Sequence, residues 1–404
     1  MLLTPDNLGL RTGVFLIGCR NRRRRRPQSG GCFKASLITD SDSFQVGKLI
    51  GTYGFINITS YSGLQSELDK EYLPEGDWRF RAQDIGEANV RIRLYEGRVA
   101  QGPLRGTPVI FKVYPGKQVG GPEADMMAAN ELSAHASLQA SNSEGMDCAN
   151  IQILLGGFET KMGEQWLAFR NDGKYTAADY GKVSSERISL GRQWNRFERE
   201  ETIKRKRRFV IKLLQGAMKG LAYMHEHERL HQSLGPASVV LNTLVEKDAT
   251  YLVPRLRDLA FSVDLRNACG LRDSKMEGDS DSLAGGLWRR AYAAGALNPL
   301  EKRAFGMADD IYEAGLLVCY MAFVPFCEAG AMDSLSLRRL LENTFQLDVE
   351  ALREYCLADE RLAEAVEFLD VGGGGAGWEL LGAMVRRDYR ERPTAETVVK
   401  HRFM

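Results

Sequence analysis

Short apolar runs broken by glycines dominate the first part of the chain, and helical spacing dominates the rest. Residues 44–62 (FQVGKLIGTYGFINITSYS) predict two short strands around Gly51 and Gly54. Residues 78–115 predict three strands, WRFRAQDI, NVRIRLYEGRV and TPVIFKVY. Gly86 lies at the first turn, and Gly102, Pro103 and Gly106 lie in the second. An alanine-rich helix follows from about Pro122 to Gln139. Two more strands follow, NIQILLGGFE and EQWLAFR. Residues 181–208 are polar and basic and end in Lys204-Arg205-Lys206-Arg207-Arg208, which reads as a solvated insertion or helix start. Helices are expected at Phe209–Glu228, Asp309–Val324, Leu335–Asn343, Val349–Leu369, Trp378–Arg386 and Ala395–Lys400, with a flexible break at Gly372–Gly375. A strand-rich part followed by a helix-rich part is an α+β pattern of two lobes, with a cleft as the default ligand site.

Composition narrows the function. In 404 residues, 44% are hydrophobic and 26% charged, which excludes wholesale disorder. A net charge of +1 gives the whole chain no basic signal for nucleic acid. The longest apolar stretch, Ala314 to Phe326, is too short to span a bilayer and predicts a buried helix. The seven cysteines are scattered and form no CxxC, which implies a reducing compartment and no zinc site. The charge is uneven. Residues 1–35 hold eight basic residues, five of them in the run Arg22–Arg26, against the single acid Asp6. An acid-poor, arginine-rich leader fits an organellar transit peptide, with a nuclear-localisation or nucleic-acid patch as the alternative. Composition does not choose chloroplast over mitochondrion, and Cys32-Phe33-Lys34-Ala35 marks a plausible end. Without the leader, the remainder is mildly acidic.

Several stretches carry chemistry. Val109-Ile110-Phe111-Lys112-Val113 puts a lysine among apolar β residues. Glu131 sits mid-helix. The segment Gly220–Asn242 contains LHQSLGPASVVLN, and Arg255-Leu256-Arg257-Asp258-Leu259-Ala260-Phe261 follows. Then come ADDIYEAG, with Asp310 and Gly315, and DYRERPTA, with Arg392.

In this order and spacing, residues 79–404 resemble the eukaryotic protein kinases. VIFKV resembles the strand-lysine motif VAIK, LHQSLGPASVVLN the catalytic loop HRDLKPxNVLL, RLRDLAF the KLxDFGL segment, ADDIYEAG the SDVWSFG helix and DYRERPTA the DPxxRPTA stretch. The resemblance implies a bilobal fold, with a β-rich N-lobe at 79–173 and an α-helical C-lobe at 174–404. Residues 36–78 then form an N-terminal extension. It further implies that Lys112 holds ATP phosphates, Glu131 holds Lys112, Asp258 binds Mg²⁺, and Gly86 is what remains of the glycine-rich loop. Ile50-Gly51-Thr52-Tyr53-Gly54-Phe55 looks more loop-like but lies too far before Lys112 for a single hairpin. His231, Asp310 and Arg392 match structural positions, Arg392 with Glu301 of NPLE as its partner.

The departures bear on activity. Ser233 holds the place of the proton-accepting Asp, Gly235 that of the loop lysine and Ser238 that of the second-metal Asn, while Leu259 and Ala260 follow Asp258. A hydroxyl does not accept a proton at neutral pH, and losing a general base lowers a rate about 10²–10⁴-fold. The expected function is a pseudokinase with weak ATP and Mg²⁺ binding, serving as a scaffold or regulator of a protein partner. One alternative is an active Ser/Thr protein kinase in which Asp264 or Glu228 replaces the base. Another is a lipid-associated structural protein. GKLIGTYGFINITSYSG and RLHQSLGPASVVLN together resemble the plant plastid-lipid-associated (fibrillin) proteins that carry a kinase-like domain. That resemblance implies a chloroplast address at lipid bodies (plastoglobules) or thylakoid margins. The lipid-binding fibrillin domain of that family has no counterpart before Met404.

Overall fold

The computed structural model describes residues 37–57, 81–84, 90–140, 149–190, 196–268, 284–370 and 374–404. The arginine-rich leader, Gly86, Ala88 and Gly372 lie outside the described residues. The chain divides into two compact units, one built mainly from residues up to Asn171 and the other mainly from Asp172 onward.

The first unit is a sheet of six strands. They are β1 (Phe44–Asn57), β2 (Arg81–Asp84), β3 (Ile92–Val99), β4 (Pro108–Tyr114), β5 (Leu154–Glu159) and β6 (Gln165–Arg170), in the order β2-β1-β3-β4-β6-β5. Residues 44–62 are expected as two short strands in an extension, and 58–62 lie outside the described residues; residues 44–57 behave otherwise. They form one strand of this sheet, antiparallel to β3, with register shifts between Val46 and Leu49 and between Leu49 and Gly51. Those irregularities let a glycine-containing strand run on without a turn. β4 is buried along its length after Pro108. Its period of two sends Val109, Phe111 and Val113 into a cluster with Phe44, Val99, Phe158, Trp166 and Ala168. Lys112 and Tyr114 therefore share the opposite face. The helix α1 (Lys117–Ala140) breaks at Gly121 (φ 66°), and Pro122 starts its main run.

The second unit is helical, with two small sheets among the described residues. Its helices are α2 (Ala177–Ser189), α3 (Arg196–Glu226), α4 (Leu265–Ala268), α5 (Gly285–Ala293), α6 (Pro299–Phe323), α7 (Ser334–Arg339), α8 (Val349–Leu357), α9 (Ala363–Leu369), α10 (Ala376–Met384) and α11 (Ala395–Val399). The strands β7 (Tyr175–Thr176), β9 (Val239–Leu241) and β10 (Arg255–Leu256) form one ladder, and β8 (Arg229–Leu230) pairs with β11 (Val263–Asp264). Among the described residues no helix is long and apolar enough to cross a membrane.

Two local expectations change. The basic stretch before Phe209 takes the helix-start alternative over the insertion, its second half opening α3, but it is not wholly solvated. Lys206 is buried, donates to the Pro325 carbonyl at 2.9 Å and lies over the Phe326 ring. Burial lowers the pKa of that ammonium, opposed by Glu364 and Glu246. Ser184 donates to the same carbonyl at 2.9 Å, and Arg207 pairs with Glu367 at 2.6 Å. Helix α6 begins ten residues before the expected Asp309. Asn298 and Glu301 form a capping box, with Pro299 in the first turn.

Candidate functional site

Two groups of residues, one in each unit, carry the chemistry. In the first unit, α1 buries Ala124, Met127, Ala128, Glu131, Ala134, His135 and Leu138 as one stripe. Glu131 thus lies in the middle of the buried face, where an unpaired carboxylate would be very costly. Lys112 on β4 meets it with two hydrogen bonds, from Nζ to Oε1 at 2.6 Å and to Oε2 at 2.8 Å. The Tyr114 hydroxyl also donates to Oε2. His135, one turn on, brings Nε2 to 3.8 Å from Oε1. Burial would raise the Glu131 pKa. The Lys112 charge and the contacts with His135 override it and hold the carboxyl well below the usual carboxylate range.

The Lys112 ammonium is only 2% exposed. It sits 5.6 Å from the centre of the Phe169 ring and 5.9 Å from that of Tyr53. Tyr53 belongs to IGTYGF. In the sheet Gly51 faces Leu94, Leu94 faces Lys112, and Tyr53 faces Ile92. The IGTYGF stretch is separated from β4 by β3, and its Tyr53 ring reaches the lysine across that strand. Residues 58–91 separate β1 from β3 and include β2.

In the second unit, the segment His231–Ser238 is organised by Asp310 of α6. Asp310 accepts hydrogen bonds from the His231 N–H (2.8 Å), the Gln232 N–H (2.9 Å), the Gln232 side chain (3.0 Å) and His225 Nε2 (2.9 Å). Complete burial would raise its pKa, and the hydrogen bond from His225 leads the effects that bring it below the ordinary value. Glu313, one turn along α6, accepts from the Leu234 N–H at 3.0 Å. Burial, with Asp309 and Asp310 adding to it, pushes this carboxyl well above the usual range.

Ser233 is buried. Its hydroxyl donates to the Asp258 carbonyl at 2.8 Å. His231 Nε2 donates to the Arg257 carbonyl at 3.1 Å, which leaves Nδ1 to accept the Ser233 N–H at 3.3 Å. Asp258 is left-handed (φ 66°, ψ 52°), a conformation that Asp tolerates better than most residues. Its Oδ2 lies 3.2 Å from Arg257 Nε. Ser238 closes on its own turn, accepting from the Gly235 N–H and donating to the Gly235 carbonyl, both at 2.9 Å.

Other expected pairs are absent. Arg392 donates to the carbonyls of Arg386 (2.7 Å) and Ala308 (2.9 Å) and stacks on Tyr312, while Glu301 caps α6. The Arg392–Glu301 pair is therefore corrected: Glu301 is committed to the Leu297 and Asn298 N–H groups. The substitute bases are committed as well. Asp264 is held by Arg229 and Arg266, and Glu228 by Arg303. Tyr53, Tyr114, His135 and Arg257 escaped the sequence reading. Tyr114 was signalled by its i+2 relation to Lys112, and His135 by its i+4 relation to Glu131.

Lys112 with its carboxylate suits a phosphate group. The metal set does not fit: Asp258 already faces a guanidinium, and the Ser238 hydroxyl is used in its own turn. Among the described residues no group of three or more His, Cys, Asp or Glu side chains is placed to hold a metal.

No protein-family model matches the chain, and no curated protein matches it in sequence. A solved structure does match, that of a Stt7 homologue from Micromonas algae soaked with ATP. The TM-score is 0.52 at 16% identity, over 95% of this chain and 97% of that one. The chain has a protein-kinase-like α+β fold, with a β-sheet N-terminal region and a helical C-terminal region.

Proposed function

We propose that the protein is a pseudokinase: a nucleotide-binding module that serves as a scaffold or regulator and does not transfer phosphate. The observation that carries this is Ser233, whose hydroxyl points its proton at the Asp258 carbonyl where phosphoryl transfer needs a base. The arginine-paired Asp264 and Glu228 supply no substitute. ATP binding rests on Lys112 and Glu131, and the ATP-soaked Stt7 homologue is compatible with it. Because Arg257 already faces Asp258, Mg²⁺ adds little to that binding. The arginine-rich leader and the plastid-family resemblance support a chloroplast location, with lipid bodies as the finer proposal and a protein partner as the target.

Thermal denaturation with ATP tests the reading. Saturating ATP should raise the melting temperature with or without Mg²⁺, because a ligand bound only by the native state stabilises it. Lys112→Met should abolish the rise. Phosphate incorporation into a protein substrate that disappears in Lys112→Met would sink the proposal.

Tyr53 sets the affinity. Its ring helps bury the ammonium that a phosphate must reach. Tyr53→Ala should tighten ATP binding about twofold or more, measured by titration calorimetry, since a cation–π contact of about 0.5–2 kcal/mol no longer competes. Weaker binding would show that the ring holds the nucleotide instead.

A further inference from the structure

A cavity lies in the helical unit and shares no residue with the Ser233–Asp258 group. Its volume is about 320 Å³, and its polar lining is Ser336, Arg339, Thr344, Asp359 and Arg361, with Tyr355 on its wall. That volume is at the lower end for small-ligand sites and exceeds what a bare phosphate ion fills.

Two neighbouring arginines on α7 have different surroundings. Arg338 is buried and pairs with Glu342 at 2.9 Å. Arg339 is exposed at the cavity and makes no hydrogen bond or ion pair among the described residues. The cavity's one acid is already spent on its own neighbour. Asp359 takes two Arg361 Nε contacts at 3.0 and 3.2 Å and one from Nη2 at 2.6 Å. The lining therefore keeps one uncompensated positive charge, on Arg339, and the hydroxyls of Ser336, Thr344 and Tyr355.

The wall is also built irregularly. Residues 335–343 were expected as a plain helix, but α7 stops at Arg339 and continues as a π-helical turn, Leu340–Thr344. Such turns are often found at functional sites. Gln346 and Leu347 follow with φ of 50° and 69°, a backbone conformation that side-chain-bearing residues rarely adopt. Arg387 holds this loop by donating to the Gln346 carbonyl at 2.9 Å.

We propose that this cavity binds a phosphomonoester, with Arg339 as its main charge partner. A phosphoryl group brings three acceptor oxygens and a charge of about −1.5 to −2, which matches one free guanidinium fork and the neighbouring hydroxyls better than a carboxylate does. The carbon side of the ester lies against Tyr355, Leu340 and Leu362, which also line the cavity. A phosphorylated serine of a partner protein and a free phosphate ester share this chemistry.

Titration calorimetry on the full chain tests the site. The probes are a short peptide with one phosphoserine, the same peptide unphosphorylated, and inorganic phosphate. The phosphopeptide should bind equally well with and without saturating ATP, so failure of the nucleotide site leaves this test intact. Arg339→Ala should weaken it at least about tenfold, the loss expected for one charge-assisted hydrogen bond. Ser336→Ala should weaken it less. Binding of inorganic phosphate alone, lost in Arg339→Ala, assigns the site to a free phosphate compound. No saturable binding of any probe at millimolar concentration, or equal binding in Arg339→Ala, overturns the proposal.

Discussion

Replacing Glu131 with glutamine is expected to destabilise the protein by about 3–5 kcal/mol, read from the urea midpoint. Removing one partner of a buried ion pair leaves the other charge uncompensated. Lys112 is almost fully buried and makes both of its short bonds to this carboxylate. Replacing the whole set by apolar groups, as Lys112→Met, Glu131→Leu and Tyr114→Phe together, should recover most of the loss, since no charge or hydroxyl is then stranded. The pair also has a pH signature. Glu131 has a folded pKa below its unfolded value, so its stabilisation is fully present above the ordinary glutamate pKa of about 4.3. It is lost as pH falls below that value, and Glu131→Gln should flatten that part of the stability profile. A variant within 1 kcal/mol of wild type at neutral pH would contradict the geometry.

The second large effect is expected at Asp310. In Asp310→Ala four buried donors lose their acceptor: the His231 and Gln232 N–H groups, the Gln232 side chain and His225 Nε2. Each orphaned donor costs about 1–3 kcal/mol, so a total loss of at least about 3 kcal/mol is expected. Amide exchange at His231 and Gln232 should accelerate, more than at Leu234, whose N–H is held by Glu313. Asp310→Asn keeps one carbonyl acceptor and should fall between. Unchanged exchange at His231 would refute this role. Because Asp310 also has a lowered pKa, its contribution is present above the ordinary aspartate pKa of about 3.9 and declines below it.

How far the residues themselves foretold this arrangement differs from place to place. The change from alternating to helical spacing located the β-rich and helical parts. The order of VIFKV, LHQSLGP, RLRDLAF and ADDIYEAG pointed to the fold. Glu131 was reached only through the kinase resemblance, because a single glutamate on a helix ordinarily faces solvent; its burial between Met127, Ala128, Ala134 and Leu138 comes from the structure. The N-P-L-E box at 298–301 was misassigned because a capping box and a degraded kinase motif look alike in four letters. Lys206 was hidden for another reason. Nothing in a basic run says which lysine turns inward, because its acceptor, the Pro325 carbonyl, is distant in sequence. The Tyr53 placement depended on β1–β3 pairing across an interruption of unpredictable length.

That same pairing bears on how the chain folds as it is made. Strand β1 leaves the ribosome well before β3, and its partners are remote: Phe44 waits for Val99, and Tyr53 for Ile92. The β3–β4 hairpin closes locally, with Arg98 opposite Pro108. The first unit therefore has a fast inner hairpin and a slow outer strand, because distant pairings pay loop-closure entropy before they gain contacts. Until β1 docks, the hairpin presents an open edge, and the nascent chain is most vulnerable to strand-mediated aggregation during that interval.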